Sequence, residues 1–231
     1  MGVEVVNTVI ERLYGLFLFH NSVIMTVMEP VNRTVTYRLY PIATQETAMR
    51  EIKRGHQRLY NAALEQRRAA WKRQRLSVTR TAQEKDLMAL RVEDETIRGL
   101  NAQTSQLTLK RLDLAFQAFF RRVKAGETPG FPRFKSLNRF RGWGYKTHGD
   151  GWRVDTGEGL RHGQLRLQGV GKVRLRGWSR TPGTPKICAI THRHGKWYAS
   201  IFRHCVGGGR LCDLHHLLSA GMSRGNRYPG R

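Results

Sequence analysis

The chain has 231 residues and 26.6 kDa, with 41 Lys and Arg against 17 Asp and Glu, a formal net charge of +24 and a pI near 11.2. That length suits one large or two small domains, and the hydrophobic fraction of 39%, which becomes roughly 46% when Gly is counted and Tyr is not, lies in the globular range and argues against a wholly disordered chain. The charge far exceeds what solubility needs and raises self-repulsion unless a polyanion neutralises it, so nucleic acid is indicated ahead of a membrane surface.

In chain order, residues 1–32 read as a leader outside the fold. The apolar stretch Leu13–Met28 is interrupted by His20 and Asn21 and lacks a small-x-small cleavage site, so it is not a secretory signal. An over-extended start, with Met25 or Met28 as the initiator, is the expectation; an amphipathic leader is the alternative. Arg33–Tyr40 (RTVTYRLY) alternates Val35, Tyr37 and Leu39 with polar residues, a period-two strand stopped by Pro41.

Thr44, with Glu46 behind it, is the expected N-cap of a helix running to about Gln74. Met49, Ile52, His56, Leu59, Tyr60, Ala63, Ala70 and Trp71 mark its apolar face. Its other faces carry Arg50, Lys53, Arg54, Arg58, Arg67, Arg68, Lys72 and Arg73, with few carboxylates in the same run to pair with them. A second helical pattern starts near Ala82, includes Leu87, Leu90, Val92 and Ile97, and breaks at Gly99. A third runs from Leu107 through Leu112, Phe116, Phe119 and Phe120 to a stop at Gly126.

Beyond Pro129 glycines become frequent and tryptophans and tyrosines are spread between them. Short β-type runs follow at Gln164–Gln168, Lys172–Arg176, Lys186–Thr191 and Lys196–Phe202, with a hairpin turn at His194-Gly195. Strands at this spacing suggest a small barrel or sandwich. The order of strand, helical block and strands predicts an α+β fold in which the first strand joins the later sheet and the helices are inserted between them. The segment from Cys205 on has no sustained period and is expected to be irregular.

Arg133, Lys135, Arg139 and Arg141 interleave with Phe131, Phe134, Trp143 and Tyr145 on a path punctuated by Gly130 and Pro132. Cations neutralise phosphates and rings offer stacking faces, so this is the first candidate nucleic-acid site. The alternative is that Phe131 and Phe134 anchor the loop while the cations face solvent. The helix face with Arg67, Arg68, Lys72 and Arg73 is the second candidate, against a merely solvated face. Tyr60 and Asn61 lie within that helix; Asn can read adenine edges, but a local bonding role is the competing reading.

Catalytic and metal readings are weak. His204, Cys205, Cys212, His215 and His216 supply zinc-ligand types without a C-x2-C spacing. His192 and His194 read as surface imidazoles beside a turn. Asp150, Asp155 and Glu158 do not form a dependable acid pair, and there is no GxSxG or Walker loop. No catalytic residue, metal ligand, cofactor or small-molecule substrate is assigned. Cys188, Cys205 and Cys212 are too few for a disulfide framework and indicate a reducing compartment, and no run is long enough to span a membrane.

Several segments, in order, resemble the OrfB/TnpB-type transposase family of insertion sequences. They are Tyr37-Arg38-Leu39-Tyr40-Pro41 with Gln45, then Arg58-Leu59-Tyr60-Asn61, then Leu112-Asp113 through Phe119-Phe120-Arg121-Arg122 to Gly126. Pro129-Gly130-Phe131-Pro132-Arg133-Phe134-Lys135-Ser136, Gly171-Lys172-Val173 and Gly195-Lys196-Trp197-Tyr198 complete the set, which spans about Arg33 to Phe202. The resemblance implies an RNA-guided DNA endonuclease related to type V CRISPR effectors. It implies a wedge-like β-barrel (33–42 and 127–204) interrupted by a helical recognition insertion (43–126), parts that hold guide RNA and target DNA.

The family's nuclease domain, with its Gly-x-Asp-x-Gly strand, Mg-binding acids and four-cysteine Zn ribbon, has no counterpart after Arg203-His204. Residues 205–231 are therefore expected to be a frameshifted tail. The reading is a truncated family protein that binds structured RNA or DNA, located in the prokaryotic cytoplasm with the nucleoid. Two alternatives are one half of a split nuclease completed in trans, and an inactive pseudogene product with Ile201 and Phe202 left exposed.

Overall fold

The first strand, β1 (Val31–Tyr40), keeps the alternation seen in its sequence: Tyr37 and Leu39 are buried, Val35 packs beside them, and Thr34 and Thr36 face out. The structure, a computed structural model, describes residues 31–155, 162–176 and 183–205, of which Asn32–Cys205 form one compact unit. The expected leader ended at 32 and the expected tail began at 205, but residues 31–32 belong to β1 and Cys205 to β7; residues 1–30 with Met25 and Met28, 206–231 with Cys212, His215 and His216, and also Glu158 lie outside the described residues.

After Pro41 the chain enters α1 (Ala43–Gln74), a helix of 32 residues. Thr44 is not its N-cap. The Ile42 N–H donates to Gln45 Oε1 at 3.2 Å, and Gln45 Nε2 donates to the Lys172 carbonyl at 2.9 Å, so one amide both caps the helix and ties it to the sheet. α2 (Arg80–Glu93) starts on Thr79, whose hydroxyl accepts from Ala82 N at 3.2 Å. A single turn, α3 (Glu95–Arg98), ends at Gly99, and α4 (Ala102–Lys124) starts on Asn101. Val92, counted above with the apolar face of its helix, is 72% exposed.

The remaining strands are β2 (Gly142–Tyr145), β3 (Trp152–Asp155), β4 (Gln164–Leu167), β5 (Gly171–Leu175), β6 (Thr184–Arg193) and β7 (Lys196–Cys205). With β1 they make a seven-stranded antiparallel sheet in the order β2-β6-β7-β1-β5-β4-β3, curled into a nearly closed barrel. β1 lies between β7 and β5, so the helices are an insertion between strands of one sheet. The fold is α+β.

Two strands, β2 and β3, escaped the sequence reading. β2 is buried at all four positions and shows no alternation. Its two glycines allow close approach: a Cβ at Gly142 (φ +148°) would sit 1.9 Å from the Ile190 carbonyl oxygen, and one at Gly144 would sit 3.3 Å from that of Cys188. The β6–β7 turn is as predicted, with His194 and Gly195 at φ +48° and +69°, the paired positive values of a two-residue hairpin.

Two cores result. The barrel interior holds Met49 from α1 together with Trp143, Tyr145, Trp152, Leu165, Val173, Ile190 and Trp197, among other apolar side chains. The helical core holds Leu59, Tyr60, Leu64, Leu87, Ile97, Leu109, Leu112 and Phe116. A single long helix serves both. It passes from one core to the other at Gly55, whose missing side chain makes room for Leu100, and at His56, whose ring stacks on Trp143 at 6.2 Å. Ile201 is buried and Phe202 half-buried, so the expectation that both lie exposed is not met: β7 packs its apolar side within its own barrel.

Candidate nucleic-acid interface

The Pro129–Phe140 segment has no regular structure, yet it is fastened at one point. Asn61 Oδ1 accepts from Lys135 N and Asn61 Nδ2 donates to Lys135 O, both at 3.0 Å, and Gln57 Nε2 adds a bond to the same carbonyl at 2.6 Å. The amide of Asn61 thus pairs with the loop backbone as a neighbouring strand would. The Lys135 ammonium lies over the Tyr60 ring at 4.5 Å, and its pKa is lowered by partial burial and by nearby Arg111 and Arg141. Tyr60 itself is buried, and burial pushes its phenol up. Tyr60 and Asn61, predicted as nucleic-acid contacts, are therefore corrected: Tyr60 is buried with no face for a base to stack on, and the Asn61 amide is engaged by the loop backbone.

Phe131 and Phe134 combine both readings of the loop. Phe131 meets Phe116 and Phe119 edge-on at 5.6 and 5.3 Å, and the Arg68 guanidinium lies 5.1 Å from the Phe134 ring centre, yet each ring remains more than 40% exposed. Trp143 and Tyr145 are corrected too. Both are buried in the barrel, and burial is the main cause that pushes the Tyr145 phenol up to about 12.

Past the clamp, a turn closed by Phe140 N to Ser136 O at 2.9 Å delivers Arg139 and Arg141 to the solvent side of β2. There they meet the β6–β7 hairpin, because His192 N donates to the Arg141 carbonyl at 2.9 Å. Arg139, Arg141, His192, Arg193 and His194 line an open cleft of about 720 Å³. Its three arginines are exposed, and among the described residues they make no ion pair and no carboxylate lines the cleft. The His192 ring packs on Trp197 at 4.6 Å, and its pKa is lowered by partial burial, Lys53 and Arg50, which favours the neutral ring. Arg133 is exposed nearby in sequence but does not line the cleft. Arg193 was missed by the sequence reading because it lies about fifty residues downstream, and only strand pairing brings it beside Arg141.

The second predicted patch divides. Arg67 is buried, with Nη2 3.0 Å from Asp113 Oδ1, Nε donating to Gln83 Oε1 at 2.8 Å, and its guanidinium over Phe116 at 5.0 Å. It holds α1, α2 and α4 together and is not available to a ligand, a correction to its assignment. The α1 cations are also less unpaired than the local sequence implies: Arg50 pairs with Glu46, Arg54 with Glu51, and Arg58 with Asp94 from the end of α2. Lys72 and Arg73 are exposed and unpaired among the described residues, and Trp71, assigned above to the buried face, is 55% exposed beside them.

Asp150 accepts from Asn101 and Gln103, which moors its loop to the start of α4. His204 Nδ1 is 2.9 Å from Asn32 Oδ1 across β1 and β7. Among the described residues no group of three or more His, Cys, Asp or Glu is arranged to hold a metal ion, and no helix is long and apolar enough to cross a membrane. Compared with known protein families and with curated proteins, the chain matches none.

Proposed function

We propose that this chain binds structured RNA or DNA through phosphate contacts, as its resemblance to OrfB/TnpB-type transposases implies. The observation that supports this most is the cleft where Arg139, Arg141 and Arg193 converge with no opposing carboxylate. Guanidinium groups offer forked donors that match two phosphate oxygens, and three of them held on fixed backbone need little reorganisation to receive a strand. The lowered His192 pKa favours its neutral form, so the arginines supply most of the attraction there. In a prokaryotic cell such a protein would reside with the nucleoid or with bound RNA.

The test is a salt titration of binding to a labelled RNA hairpin and to a DNA duplex. Three neutralised phosphates give a log–log slope of about −3 on duplex DNA. Replacing Arg139 and Arg141 together by Ala should remove about two units of that slope and weaken all sequences alike. A flat salt response in the unaltered protein would sink the proposal.

A further inference from the structure

A second cleft, of about 880 Å³, lies between the C-terminal halves of α1 and α4 and is closed below by the loop. Its walls carry Trp71 and Phe120, which are 55% and 57% exposed, with Phe131 at 46%. Phe119 meets Phe120 at 5.2 Å and Phe131 at 5.3 Å, so these rings form a continuous aromatic wall. Arg75 covers part of Trp71 at 5.7 Å, yet more than half of that side chain stays accessible. Exposed aromatic surface on this scale marks a binding surface.

Charge decides the occupant. Arg68, Lys72 and Arg73 line the cleft together with Arg67, whose charge is met by Asp113, and among the described residues Glu65 is the single carboxylate in its lining. A second copy of the chain docked symmetrically here would set these cations against their own counterparts, which opposes self-association. A polyanion with exposed apolar faces fits both features. In a duplex the base faces are covered by their neighbours, whereas unpaired bases leave them open for stacking on aromatic rings. From these features we propose that the α1–α4 cleft binds a single-stranded segment of nucleic acid, with bases against Trp71 and Phe120 and phosphates on Lys72 and Arg73. The proposal rests on the nucleic-acid reading above but assigns a separate site, selective for unpaired strands.

The experiment measures binding of the full chain to labelled oligo(dT), which has no self-structure, and to a duplex of the same length. Replacing Trp71 and Phe120 together by Ala should weaken oligo(dT) by at least about fivefold per ring, while duplex affinity stays within twofold. Both side chains are largely exposed, so the melting temperature should hold; Trp71→Phe with Phe120→Tyr keeps the rings and should retain oligo(dT) binding. Oligo(dT) should also quench tryptophan emission, and Trp71→Phe should remove that part of the quenching. Unchanged oligo(dT) affinity, or equal loss on both ligands, overturns the proposal. So does a wild-type protein that binds duplex alone, although the phosphate-binding cleft then stands; binding to neither ligand fails both readings. Loss of binding to anionic vesicles with oligo(dT) binding intact would assign the rings to a lipid surface instead and equally overturn it.

Discussion

The barrel and the helical block are held together by different means. The barrel core is an apolar interior with three buried tryptophans, and its tightness depends on backbones meeting where side chains are missing, as at Gly142 and Gly144. The helical block is cross-linked by polar groups: Arg67 to Asp113 and Gln83, His56 to Thr108, and Asn61 to the loop backbone. An apolar core tolerates changes that keep volume, whereas a buried polar network fails when one partner goes. The two regions should therefore break in different ways.

The largest effect is expected in the barrel. In Gly142→Ala the added carbon would sit 1.9 Å from the Ile190 carbonyl oxygen, on a backbone with φ of +148°. Backbone cannot yield as a side-chain tip can, so β2 should detach from β6 and the variant should be recovered unfolded or melt many degrees lower. A soluble variant with an unchanged melt would show that β2 is not needed to close the barrel.

In the helical block, Arg67→Ala leaves Asp113 and Gln83 without their shared donor. Breaking a mostly buried pair of this kind costs about 3 kcal/mol, read as a shift in the denaturant midpoint. Affinity of the folded variant for duplex at the Arg139–Arg193 cleft should not change, because Arg67 does not line it. A variant with full stability and weakened binding would return Arg67 to the ligand-binding surface.

The seam between the regions has its own signature. His56 is buried beside Trp143, and burial, with Arg111 nearby, draws its pKa down to about 3. Below pH 6.5 the unfolded chain takes up a proton that the folded chain refuses until about pH 3, so stability is lost as pH falls through that window. The slope is about 1.4 kcal/mol per pH unit. His148 and His192, also lowered, add to it with the same sign. His56→Phe keeps a ring against Trp143 and should flatten most of the dependence between pH 6.5 and 4 in a series of thermal melts. An undiminished slope in that variant would place the acid sensitivity outside the seam.

The same contrast explains what the sequence disclosed. Helices α1, α2 and α4 announce themselves because apolar residues recur at three- and four-residue steps. The start of α4 is invisible for five residues, since Thr104 and Ser105 are buried polar side chains that bond back to the Asn101 carbonyl and give no apolar signal. β2 is buried on both sides, so alternation, the signature of a strand with one wet face, is absent. Of the site residues, Arg139, Arg141, Lys72 and Arg73 are exposed cations as expected, whereas Arg67 was misread because its partner Asp113 comes from another helix. Single-chain charge counting sees only partners nearby in sequence, and the folded molecule pairs across elements.

Asn61 tests that lesson at the smallest scale. A base-reading asparagine and a loop-clamping one differ in what their removal does. Were Asn61 reading bases, Asn61→Ala would leave the melt unchanged and lower affinity for particular sequences only. As a clamp, its loss strips its two bonds from the Lys135 backbone and leaves the Gln57 bond to the Lys135 carbonyl. Stability should fall by about 1–2 kcal/mol, because the Lys135 N–H and carbonyl are half-shielded from water. Arg139 and Arg141 follow four and six residues later, so loosening the anchor lets them wander from Arg193. Affinity should then decline modestly and evenly across sequences, by less than in the Arg139, Arg141 double variant. Equal loss in the two would mean that the cleft exists only while the clamp holds, which makes Asn61 the residue on which the barrel-tip cleft depends.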